Sequence, residues 1–124
     1  MKVLALDFGS ARTGVAVSDP TGTVARPVGV VRKAATDAGF ESLLTVIRDE
    51  NPALVIVGMP LTLRGDNGEQ AQETTAFVER LRAAMELPVE TYDERFTSVL
   101  AGGDDARAAA HLLSDYLQWQ SNRH

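Results

Sequence analysis

A chain of 124 residues with a net charge of −5 and no cysteine has room for one domain, and it excludes a disulfide framework, a thiolate zinc site and a cysteine nucleophile. Hydrophobic residues at 44% and charged residues at 23% are ordinary globular composition and argue against disorder. The acidic balance disfavours a nucleic-acid partner unless there is a local basic face, because that affinity grows with the number of phosphates neutralised.

The opening "KVLALDFGSARTGVAVSD" reads as a strand over Lys2 to Leu6, closed by Asp7, then a glycine turn and a second strand with Val15 and Val17 on one face. Pro20 and Gly22 mark the next turn, and "VARPVGVVRK" continues as a third strand, so the three form an antiparallel meander. From Asp37 the period becomes helical through Phe40, Leu43, Leu44 and Ile47, and Asn51-Pro52 stops that helix. "ALVIVGMP" is a continuous apolar run of the kind buried on both faces in a parallel sheet. The polar loop "LTLRGDNGE" leads to an amphipathic helix over Glu69 to Met85, and "VETY" is the fifth strand. A last helix, opened by Asp104 or Asp105, runs through Leu112, Leu113, Tyr116 and Trp119.

The order β-β-β-α-β-α-β-α predicts an α/β fold of the ribonuclease H-like kind. Its five-stranded mixed sheet is an antiparallel meander plus two parallel strands, with helices on both faces and residues 1–124 as a single domain. No apolar run approaches the roughly 18 residues of a membrane span, and the N-terminus lacks the basic and apolar regions of a leader, so a cytoplasmic protein is expected.

Asp7 is the informative residue. A carboxylate directly after four apolar residues of a central strand costs several kcal/mol to bury without a partner. In this fold Asp7 would sit at the carboxyl end of that strand, Asp93 and Glu94 at the end of the fifth, and Asp105 at the head of the last helix. Acids from three distant segments could then meet at one sheet edge, where Mg²⁺ or Mn²⁺ would relieve their repulsion and support phosphodiester hydrolysis without a covalent intermediate. Neither His111 nor His124 is well placed as a general base. The basic candidates are Arg12, Arg26, Arg32, Lys33, Arg64 and Arg95, while aromatics at 6% predict no stacking platform for single strands.

Four blocks, "LALDFGSARTGVAVSD", "GMPLTLRGDNGEQA", "YDERFTS" and "DDARAAAHLL", resemble in order and over nearly the whole chain the YqgF or RuvX family of Holliday junction resolvases, also assigned to 5′-end maturation of pre-16S rRNA. The resemblance implies a nuclease whose metal-binding and catalytic acids are Asp7, Glu94 and Asp105, with Asp93 and Asp104 as alternates. It implies a nucleic-acid partner, pre-rRNA or branched or single-stranded DNA; among the basic candidates Arg12, Arg64 and Arg95 are expected to meet it, Arg64 because loops at the carboxyl ends of parallel strands face the ligand crevice, and a monomer or homodimer is expected. The chain departs from the family in one place: the short "FTSVLAGGD" connection replaces a longer, basic segment between the last two acids. Two other classes compete. A phosphotransferase of the actin and sugar-kinase type would need a second sheet domain, and an inert nucleic-acid-binding module would keep the fold and bind without cutting.

Overall fold

The apolar run that opens the chain becomes the middle of a sheet. In the computed structural model, which describes residues 1–59, 69–93 and 105–122, β1 (Val3–Asp7) lies between β2 (Arg12–Ser18) and β4 (Leu54–Met59). Outside them are β3 (Ala25–Arg32) and β5 (Val89–Asp93), in the order β3-β2-β1-β4-β5. The first three strands pair antiparallel, while β1 with β4 and β4 with β5 pair parallel, as the element order predicts. Three helices, α1 (Asp37–Glu50), α2 (Glu69–Ala84) and α3 (Asp105–Asn122), complete the described elements. None of them is long and apolar enough to cross a membrane.

Burial on both faces explains why β1 and β4 are apolar at successive positions rather than alternating. Leu4, Leu6, Val15, Val17, Val55, Val57 and Val89 face one way and pack with Phe40, Leu43 and Ile47 of α1 and Phe77, Val78 and Leu81 of α2. Val3, Ala5, Ala16, Leu54 and Ile56 face the other way, against Ala109, Leu112, Leu113 and Tyr116 of α3. The small Ala5 and Ala16 on this second face let α3 sit close over β1 and β2.

The predicted punctuation of α1 holds, with a cap that the periodicity did not reveal. Thr36 is the N-cap, its hydroxyl accepting from the Gly39 N–H at 3.2 Å, and Asn51 ends the helix in a left-handed conformation with φ 51° just before Pro52.

The turn between β2 and β3 is organised by Asp19, which sequence reading passed over in favour of Pro20 and Gly22. Its carboxylate accepts from the Thr21 hydroxyl and from the N–H groups of Thr21, Thr23 and Val24 at 3.2, 2.8 and 2.7 Å. The Thr21 hydroxyl, then the Val24 and Thr23 N–H groups, hold its carboxyl well below the usual carboxylate range. A lowered folded-state pKa stabilises the fold above the free-aspartate value of 3.8, and that contribution is lost as pH falls through the folded value. Wild type should therefore melt above Asp19→Asn at neutral pH, and the gap should close progressively below pH 3.8. Melting curves of the pair across acid pH check this; a gap independent of pH would remove Asp19 from that role.

Candidate active site

One edge of the sheet collects the ends of β1, β4 and β5, the start of β2 and the end of β3. Asp7 closes β1 there and is half-buried. Strand alternation puts it with Val3 and Ala5 on the face covered by α3. Gly14 is its direct partner on β2. Continuing the β1–β4 register one residue past Leu6↔Val57 brings Gly58 to its other side. The next positions outward are Val30, opposite Gly14, and Tyr92, opposite Gly58. Asp7 thus stands between two glycines, Gly14 on β2 and Gly58 on β4.

Tyr92 belongs to an aromatic group that composition did not predict. Its ring meets Tyr116 edge-on at 5.6 Å and Trp119 at 5.9 Å, which joins β5 to α3. Burial, then the carboxylates of Asp115 and Asp93, push the Tyr92 phenol pKa up, so it stays a neutral hydroxyl at physiological pH.

A local basic corner does exist. Arg12 and Arg32 are direct cross-strand partners, both exposed, and the Lys33 N–H donates to the Ala11 carbonyl at 2.9 Å. Like charges directly opposite each other on a sheet are mildly destabilising, an arrangement that an anion lying across them relieves. Arg26 is not part of this corner. It lies near the far end of β3, where Glu50 accepts from it at 3.4 Å and from Lys2 at 3.2 Å.

Among the expected acids, alternation along β5 sends Asp93 with Val89 to the face of α1 and α2, opposite Asp7. The helix α3 starts at Asp105. Its C-terminal half lies over the start of β1, where Tyr116 and Leu117 line a cavity of about 380 Å³ with Met1 and Val3. At 1.5 Å per residue, Asp105 is about 16 Å back along the helix from Tyr116. Glu94, Asp104, Arg64, Arg95 and His124 lie outside the described residues. His111 is on the exposed side of α3. Among the described residues no group of three acids or histidines is placed to hold a metal.

Comparison with known proteins places this geometry. A family model described as "RuvX: Holliday junction resolvase" matches residues 1–104. The Roseiflexus sp. (strain RS-1) protein named "Putative pre-16S rRNA nuclease" is 42% identical over 100 residues, covering 81% of this chain and 71% of that one. The protein of the same name from Thermoanaerobacter pseudethanolicus is 32% identical over 139 residues, covering 99% of this chain and 100% of its own. That aligned length exceeds the 124 residues here, so this relative carries residues that the present chain lacks. Two solved structures share the fold at low identity. They are the fowlpox virus resolvase with Holliday junction DNA, at TM-score 0.62 and 14% identity over 97% of this chain and 99% of that one, and Thermus thermophilus RuvC with a Holliday junction substrate, at 0.58 and 16% over 98% and 96%. From the first strand through the fifth, where Asp7 and the basic corner are built, the chain belongs to the RuvX family.

Proposed function

We propose that this RuvX-family chain is a cytoplasmic nuclease that hydrolyses phosphodiester bonds in the 5′ leader of pre-16S rRNA, using a divalent metal held by Asp7, Glu94 and Asp105. The observation that carries the reading is Asp7 itself, a carboxylate at the end of the central strand between two glycines and beside a basic corner. Glycine on both sides leaves room for a hydrated cation and an approaching phosphate, and carboxylate oxygens are the donors that Mg²⁺ or Mn²⁺ prefers. Asp93 faces away from Asp7, which counts against it as the second acid, and the family resemblance names Glu94. Asp105, which opens α3, is the third acid that the family resemblance names. When bound, the metal supplies Lewis acidity for attack of water on phosphorus and for charge on the departing oxygen.

The chain's own residues bring the strand to that point. Arg12, Arg32 and Lys33 bind backbone phosphates, which positions the substrate without reading its sequence, and Arg64 and Arg95 extend the contact. Replacing Arg12 by Ala should weaken binding of every RNA to a similar degree and lower the slope of log affinity against log salt by about 0.7 to 0.9, the share of one phosphate. Fluorescence anisotropy at several salt concentrations measures it, and an unchanged slope would make Arg12 a bystander.

The deciding experiment is cleavage of end-labelled pre-16S leader RNA, single-stranded DNA and four-way DNA junctions with Mg²⁺, Mn²⁺ or EDTA. Metal-dependent cutting of the leader is the expected result. Preferential cutting of the junction would select the resolvase reading named in the family description, and binding without cutting would select an inert nucleic-acid-binding module.

A further inference from the structure

On the face of the sheet away from α3 there is a second concavity close to the same edge, and no part of the acid site uses it. Its volume is about 320 Å³, and Phe8 and Phe77 form its apolar wall, their rings stacked at 4.2 Å. Ser10, Glu73 and Arg80 supply polar groups around it. That volume is near the lower end of small-ligand sites, roughly 300 to 1,000 Å³, and suits one flat ring system rather than a protein segment.

Its position ties it to the site already described. Phe8 directly follows Asp7, and Ser10 precedes Ala11, whose carbonyl holds the Lys33 N–H. Asp7 and Arg12 face α3 and the opening lies on the other face, so a strand bound at Asp7 reaches it by turning over the end of the sheet. Arg80 is also pre-set. Its guanidinium lies 4.1 Å from the centroid of the Phe40 ring, donates to the Ala35 carbonyl at 2.9 Å and pairs with Asp37 at 2.8 Å. The exposed Asp37 adds little energy to that pair. The three contacts together nonetheless hold a planar cation in one orientation at the cavity wall. A guanidinium plane is a surface on which an unpaired base stacks, while Phe8 and Phe77, each 4% exposed, serve as apolar backing rather than as the platform. Glu73 on the same helix face as Arg80 offers an acceptor for ring or amino N–H groups.

We propose that this cavity receives one unpaired nucleobase of the substrate strand, flipped out beside the phosphate held at Asp7, so that the protein engages single-stranded rather than fully paired nucleic acid at the cut. The proposal rests on the nuclease reading above. The test is binding, with Ca²⁺ in place of Mg²⁺ so that a cation still links the phosphate to Asp7, of a fluorescein-labelled single-stranded RNA in which one abasic site is walked along the chain, with Mg²⁺-dependent cleavage of the same strands run in parallel. For wild type, one abasic position should weaken binding about tenfold, the scale of one stacked base. Ala76→Leu fills the cavity from an exposed helix position, and Arg80→Lys keeps the charge but removes the plane. Both should bind the intact strand about tenfold more weakly and lose the positional penalty, with helical circular dichroism unchanged. A flat abasic walk in wild type, or a penalty undiminished in both variants, overturns the cavity's role even where cleavage persists. Absence of both binding and cleavage overturns the proposed function along with it.

Discussion

Asp7→Asn is expected to abolish metal-dependent cleavage while leaving the fold intact. The two side chains are nearly isosteric, and the positions directly beside Asp7 on the neighbouring strands, Gly14 and Gly58, carry no side chain. The backbone pairing of Asp7 with Gly14 is untouched by the change. What disappears is an anionic oxygen ligand at the point where three acids are proposed to meet. Even outer partners of metal ligands are worth about 10- to 100-fold in activity, so loss of a direct ligand should exceed about a hundredfold. In EDTA the melting temperature should hold or rise, because one carboxylate fewer lowers repulsion at the edge. Cleavage assays with Mg²⁺ and a thermal melt of the same preparation check both halves. Normal cutting by Asp7→Asn would remove Asp7 from the chemistry, and an unfolded variant would assign it to the fold instead.

Gly39→Ala should cost substantial stability, although helix propensity alone favours alanine by about 1 kcal/mol. Gly39 lies in the first turn of α1, and a Cβ there would overlap the Lys33 carbonyl and stand 2.7 Å from the Arg32 carbonyl oxygen. Neither obstacle is a side chain that can swing away. The Lys33 carbonyl is moreover pinned, accepting from the Thr36 N–H at 3.0 Å and the Thr36 hydroxyl at 2.7 Å, and Lys33 itself has φ 50°. Overpacking against fixed backbone belongs at the upper end of its range, about 3 kcal/mol, which lowers the melting temperature by on the order of 10 °C for a domain of this size. The turn under strain carries Arg32 and Lys33, so whatever relief occurs also shifts the basic corner and should weaken RNA binding. Calorimetric melts and anisotropy together test this. Gly39→Ala melting at or above wild type would mean the approach of helix to turn is looser than described.

Local patterns along the chain were enough to determine the order of elements and most of their limits. The β-branched run of β4, the helical spacing of Phe40, Leu43, Leu44 and Ile47, and the Asn51-Pro52 stop each act within a few residues, so they are legible without any knowledge of neighbours. Asp7 was legible for the same reason, as a charge abutting an apolar run that had to be buried. Glu94 and Asp105 were legible only as acids at the end of the fifth strand and the head of the last helix, each with an alternate beside it, and the resemblance of whole motifs chose between them. Tertiary structure decided what stands beside what. Gly14 and Gly58 flank Asp7 only because of register across strands 7 and 51 residues apart in sequence. Arg12 meets Arg32 through the β2–β3 pairing, whereas Arg26 is drawn to Glu50. Aromatics at 6% look too sparse for a ring cluster, yet packing gathers Phe8, Phe40 and Phe77 on one face and Tyr92, Tyr116 and Trp119 on the other. Composition counts side chains, and only the closing of long-range strand and helix contacts sets the distances between them, on which stacking, charge pairing and metal binding depend.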